Sequence, residues 1–284
     1  MKRLISGMCL ILFLLPVTCP QANASGLPLL GNENRLLLVG PGQSFERIQD
    51  AVDAAENGDT IVIFPGIYRE AVDAQKKTLT IMGTNRGLCI LTYPNGNYLT
   101  PPLEMGSGTL MNLTIHATAQ EKDANIFAKA YAMHTDYDIS ENNSFLIRNV
   151  DFINEDYQAV GIGLRRNFLL RFENCRFLCD SGYSAFFCHD DPVNQPGSGQ
   201  RVFIDRCYFR SNGDEPTILL QSQELWGSRI TCLWRNNIIV NLDDGPTMQM
   251  HLTRSAHVGG GWLDTSYWML HPLSRGNNLP ELNH

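Results

Sequence analysis

PGQSFERIQDAVDAAENGDTIVIFPGIYRE, residues 41–70, is the stretch on which the fold turns. Phe45, Ile48, Val52 and Ala55 recur at helical spacing and give one apolar face. Ser44 stands where a helix N-cap is expected, and Glu46 follows in the first turn, where negative charge is favoured. Asn57-Gly58 ends the helix, because glycine takes positive φ without a steric penalty. Thr60 to Phe64 then reads as a strand and Pro65-Gly66 as a turn.

Downstream, four segments repeat one pattern. They are Phe145 to Phe152, Leu170 to Phe177, Val202 to Phe209 and Cys232 to Ile239. Each is a short apolar strand, a polar corner (Asn149, Asn174, Arg206, Asn236) and an apolar residue three positions on. The corners recur after 25, 32 and 30 residues, and a weaker copy at Thr109 to Ile115 lies 37 residues upstream. A second column contains His134, Gly161, His189, Gln221 and His251, spaced by 27, 28, 32 and 30. Two strand columns sharing a period of about thirty residues describe stacked coils, since one coil alone cannot bury its apolar face. A β-sandwich would show hairpin turns far more often. The expected fold is all-β, a parallel β-helix with an N-terminal capping α-helix. His116 to Asp123 lacks alternation and reads as a loop or a poorly formed coil, and the period breaks after His251.

The expected organisation is a signal peptide over 1–24, an N-terminal segment and capping helix over 25–58, the β-helix over 59–252 and an irregular C-terminal cap over 253–284. The signal reading rests on Lys2-Arg3, a short apolar run from Leu10 to Val17 and the A-x-A site Ala22-Asn23-Ala24. It implies a secreted or periplasmic protein. No later segment is long and apolar enough to span a membrane. Loss of Lys2 and Arg3 takes the net charge from −7 to −9, which excludes a nucleic-acid partner. Six cysteines remain (89, 175, 179, 188, 207 and 232), either as small apolar core residues or in disulfides whose pairing stays open. They form no C-x-x-C pair, and no cofactor or metal is expected.

The 41–70 stretch resembles the start of secreted right-handed parallel β-helix proteins of the pectinesterase and pectate-lyase superfamily. In these a short helix covers the solenoid end and a G-x-Y-x-E turn follows the first strand, matched here by Gly66-Ile67-Tyr68-Arg69-Glu70. Gln158-Ala159-Val160-Gly161 resembles the pectinesterase Q-A-V-A-L segment, and Phe172 to Leu178 its F-x-x-C-x-F-L segment. The resemblance implies Gln158 as an oxyanion-hole donor. By spacing it implies Asp180 as acid/base, although the family's Q-D-T is absent and a count from His189 points to Tyr183-Ser184 instead. It implies Asp214 as nucleophile, seven residues after Cys207, with Thr217 the alternative from the strand itself. The family's G-R-P-W arginine has no counterpart; Arg275 stands in an unrelated context.

The second column suggests a separate substrate groove. His134, Asp136, His189, Asp190, Gln221 and His251 would line it, Gly161 and Gly163 would leave a floor without side chains, and Arg165-Arg166 could meet a substrate carboxylate. His189 and Asp190 share a face only if their strand ends between them. The expectation is a carbohydrate-active protein with a polysaccharide partner: a pectinesterase-like hydrolase of polysaccharide esters, or else a glycan-binding β-helix or a polysaccharide lyase.

Overall fold

Three parallel sheets wind around one apolar interior in the computed structural model. It describes residues 34–94, 100–119, 130–135, 137–190, 199–221, 229–243, 245–252, 257–258, 261–262 and 266–270. At 190, 221, 229–232 and from 249 onward it describes the backbone alone. These residues fall in one compact unit, Asn34–His284, and the expected signal peptide lies outside them.

Each coil passes through the three sheets in turn. One runs through Ser144–Arg148 in the first sheet, Asp151–Asn154 in the second and Val160–Leu164 in the third. The next begins at Leu169–Glu173. The expected first column is in register: Phe145 pairs with Leu170, Leu170 with Val202 and Val202 with Cys232. The apolar residue beyond each corner forms the second sheet, Phe152 beside Phe177 beside Phe209. Their rings stack inside the solenoid, at 5.2 Å for Phe152–Phe177 and 4.6 Å for Phe177–Phe209, close to the ordinary strand spacing.

The polar corners have a backbone reason. Asn112, Asn149, Asn174, Arg206 and Asn236 all take φ between 53° and 59°. Asparagine tolerates this left-handed conformation better than most residues. Its amide also stacks: Asn174 Nδ2 donates to Asn149 Oδ1 (3.2 Å), and Asn149 Nδ2 to Asn112 Oδ1 (2.8 Å). Arg206 interrupts the series, and Asn236 donates to Asp205 instead (3.1 Å). Asn174→Ala should therefore cost about 1–2 kcal/mol in urea denaturation, part strain and part lost hydrogen bond. Asn174→Gly should recover the strain component only.

The capping helix spans Ile48–Ala54, shorter than the sequence suggests. Ser44 is not its cap and Glu46 precedes it; the N-cap is Arg47, without a side-chain cap hydrogen bond. Glu70 takes that role from the far side of the first coil. The Ile48 and Gln49 N–H groups donate to Glu70 Oε1 (2.8 Å) and Oε2 (3.1 Å). Tyr68 donates its hydroxyl to the Phe64 carbonyl (2.7 Å). Gly66–Arg69, expected as a turn, is itself a strand of the second sheet.

One further expectation needs correction. His116 lies in the strand Thr114–Thr118, not a loop, and its Nε2 meets Glu155 Oε1 at 2.8 Å. After Leu252 the chain reverses: Ser266–Leu270 pairs antiparallel with Met248–Leu252, and Gly261–Trp262 with His257–Val258. An antiparallel turn-back covers the last open edge of the third sheet. Cys89, Cys175, Cys179, Cys188 and Cys207 are buried free thiols, and the Cys232 side chain lies outside the described residues.

Candidate functional site: an aromatic face on the third sheet

Strand alternation assigns the third sheet's two faces. Met133, Val160, Phe186, Ile218 and Met248 point inward and are buried. The outward row that follows runs Asp73, Glu104, His134, Gly161, Phe187, Leu219. The next outward row runs Gly163, His189, Gln221, His251. The sequence column placed His134, Gly161 and His189 in one row. Gly161 instead pairs with Phe187, so His189 sits one outward position further along its strand. The spacing of 28 concealed this, because corners differ in length while strand register does not.

Gly161 is no open floor. The Tyr131 ring lies over it, and a Cβ at 161 would fall 2.5 Å from that ring. Tyr131 begins an aromatic series on the corner leading into the sheet. Its ring is 5.3 Å from Tyr157, and Tyr157 is 4.8 Å from Tyr183. On its other side Tyr131 stacks on His134 at 5.4 Å and 7°. Tyr137 closes that end, edge-on to His134 at 5.7 Å with its hydroxyl 3.3 Å from Nδ1. Glu104 Oε1 is 4.0 Å from the same Nδ1. Three tyrosines thus cross successive coils, and His134 and Tyr137 extend the ring series along the coil of Tyr131.

Burial shapes the electrostatics. It pushes His134 down to about 4, aided by the charge of His189, so the ring is neutral at pH 7. Burial raises Glu104 above the usual carboxylate range, against a hydrogen bond from Tyr137, and Asp73 raises it further. Glu215, in the coil after Tyr183, is also raised by burial, against hydrogen bonds from Ser184.

The residues implied by the resemblance are placed differently. Asp180 and Asp214 stand on successive corners between the second and third sheets. Both Asp180 oxygens accept from Arg210 Nη2 (2.9 and 2.7 Å). Asp214 is exposed. Of the alternatives, Ser184 is fully buried, and Thr217 is buried with its Oγ1 2.7 Å from Ser211 Oγ. Gln158 is buried beside Tyr157, and its Oε1 has no hydrogen-bond partner. Arg165 is largely buried with Nη1 3.5 Å from Asp138, and Arg166 meets Glu141 at 3.0 Å. Asp136 lies outside the described residues, as do the side chains of Asp190 and Gln221. The strand Phe186–Asp190 continues through Asp190, so alternation does not break after His189. Among the described residues no group of three or more His, Cys, Asp or Glu is placed to hold a metal ion.

Sequence reasoning missed Tyr131, Tyr137, Tyr157, Glu104 and Glu215, and named Tyr183 only as an alternative acid/base position. A signal existed: Tyr131, Tyr157 and Tyr183 recur at intervals of 26. It lies two to three residues before each strand, outside the columns that apolar periodicity selects.

No protein-family model matches the chain, and no curated protein matches it in sequence. Solved structures do match. A pectin methylesterase in complex with a hexasaccharide is 12% identical, with a TM-score of 0.50 over 83% of this chain and 85% of that one. The Aspergillus niger pectin methylesterase is 14% identical over 81% and 87%, with a TM-score of 0.48. That of Erwinia chrysanthemi is 14% identical over 83% and 85%, with a TM-score of 0.45. Identity this low speaks to the scaffold, and the three parallel sheets agree with it: the chain is a right-handed parallel β-helix of the pectinesterase-like fold.

Proposed function

We propose that this protein is a secreted, carbohydrate-active β-helix that binds a polysaccharide along the outer face of its third sheet. The observation that carries the reading is the ring series Tyr137, His134, Tyr131, Tyr157 and Tyr183. A pyranose presents an apolar C–H face and a polar rim. Amphipathic rings with nearby carboxyl and imidazole groups suit both. Tyr131, Tyr157 and Tyr183 advance with the coils, so a chain lying along the solenoid axis meets one of them after another, while His134 and Tyr137 extend the face sideways along the coil of Tyr131. One similar structure holds a hexasaccharide, which agrees with an extended carbohydrate ligand. The N-terminal residues Lys2-Arg3 and Ala22-Asn23-Ala24 support secretion. No helix among the described residues is long and apolar enough to cross a membrane.

Affinity electrophoresis through polysaccharide gels tests the reading. Tyr157→Ala should bind about tenfold more weakly, roughly 1.4 kcal/mol, while the unfolding midpoint moves little. Unchanged mobility against every polymer tried would remove the proposal.

The hydrolytic reading assigns Asp214 as nucleophile, Asp180 as acid/base and Gln158 as oxyanion donor. Gln158 is enclosed next to the tyrosine series, but its unpartnered atom is the acceptor Oε1, and an oxyanion needs a donor, so the orphaned oxygen lends the reading no support. The hold of Arg210 on both Asp180 oxygens counts against it, since a proton shuttle needs a free carboxyl. Methanol or acetate release by the wild type but not by Asp214→Ala would establish the hydrolase.

A further inference from the structure

The three sheets differ sharply in charge. Among the described residues every arginine on a strand belongs to the first or second sheet, including Arg171, Arg201 and Arg235 on the first and Arg176 and Arg210 on the second. No strand among the described residues carries a lysine. The third-sheet strands carry neither cation, but do carry Asp73, Glu104 and Asp190. Glu215 adds a carboxylate at the corner beyond Tyr183. Arg165 and Arg166, which follow the third-sheet strand Val160–Leu164, are already engaged with Asp138 and Glu141. His134 adds no positive charge at pH 7.

Resting on the reading that this face binds polysaccharide, we infer that its ligand is an uncharged polymer and that polyuronates are rejected. A polyuronate laid along the tyrosines would bring one carboxylate per sugar past Glu104 at one end and Glu215 at the other. No guanidinium among the described residues of the face would neutralise it. Like charges facing each other across an interface are a standard means of refusing a partner. The repulsion is electrostatic, so it weakens as added salt shortens the screening length, about 8 Å at physiological ionic strength.

One backbone in two charge states separates charge from shape. Binding of the mature chain is measured at pH 7 and low salt to a neutral β-glucan, a galactomannan, polygalacturonate and fully methyl-esterified polygalacturonate. The expected result is binding to at least one neutral polymer and to the esterified form, with free polygalacturonate at least about tenfold weaker. Added salt should narrow that gap, as should the Glu104→Gln, Glu215→Gln double variant. Equal or tighter binding of free polygalacturonate overturns the inference and leaves the polysaccharide reading intact. Equal rejection of the free and esterified forms also overturns it, because charge is then not the discriminator. Failure to bind any of the four removes the polysaccharide reading itself.

Discussion

Glu70→Ala is expected to lower stability by about 3 kcal/mol, the cost of leaving two enclosed amides without an acceptor. The carboxylate is 6% exposed and accepts from both Ile48 and Gln49 at the start of the capping helix. Arg47 Nη2 lies 3.5 Å away and would lose its partner too. Buried Ile48, Ala51 and Val52 form the helix face that seals the first coil, so loosening the helix exposes the solenoid end. For a chain of this size the unfolding midpoint should fall by roughly 6–12 °C. A solenoid contacts only its neighbouring coils, so the damage should begin locally. Hydrogen exchange should speed first at the Ile48 and Gln49 amides, while the Phe152–Phe177–Phe209 coils stay protected. Glu70→Gln should lose less, because its amide oxygen still accepts one of the two bonds. Unaltered exchange at those amides would show that Glu70 does not cap the helix.

That contact explains why residues 41–70 were so informative. Tyr68 lies in the second strand after the helix, Gly66–Arg69, and Glu70 directly follows it, yet they hold the preceding corner and the helix start. The motif is therefore readable as a unit, although the assignment of Ser44 as cap was wrong. A local rule names the nearest polar side chain, whereas here the cap arrives from 22 residues downstream. The coil repeat was legible because left-handed corners admit few residue types, and Asn149, Asn174 and Asn236 mark them in the chain.

The site was less legible, for a reason of the same kind. Strand register is set by backbone pairing, and corner length varies between coils. Counting from His134 to His189 absorbed an extra length of chain and joined two different rows. Gly161 read as an opening because its sequence shows only a missing side chain. The ring that occupies the space, Tyr131, comes from the preceding coil. Spacing from cysteine or glutamine placed Asp180 and Asp214 on corners, but it carried no information about Arg210, which takes both Asp180 oxygens.

Acid should weaken the fold through His134. Its folded pKa is about 4 and its ordinary value 6.5, so between these limits the unfolded chain binds more protons. Stability therefore rises with pH across the window: the contribution is complete above about 6.5 and is lost as pH falls towards 4. The shift corresponds to at most about 3 kcal/mol. The ring is packed by Tyr131 and Tyr137, with Glu104 at 4.0 Å and His189 close enough to oppose its protonation. Glu104 acts in the other direction. Its folded pKa is raised, so the native state binds the extra proton and stability falls as pH rises through that value. Denaturant unfolding from pH 7 to pH 4 separates the two. His134→Phe keeps a ring on Tyr131 but cannot titrate, and should flatten the acid loss; Glu104→Gln should steepen it. Parallel curves for wild type and His134→Phe would remove His134 as the source. Because the ring that must charge heads the tyrosine series, polysaccharide affinity should decline over the same pH range in the wild type and persist in His134→Phe.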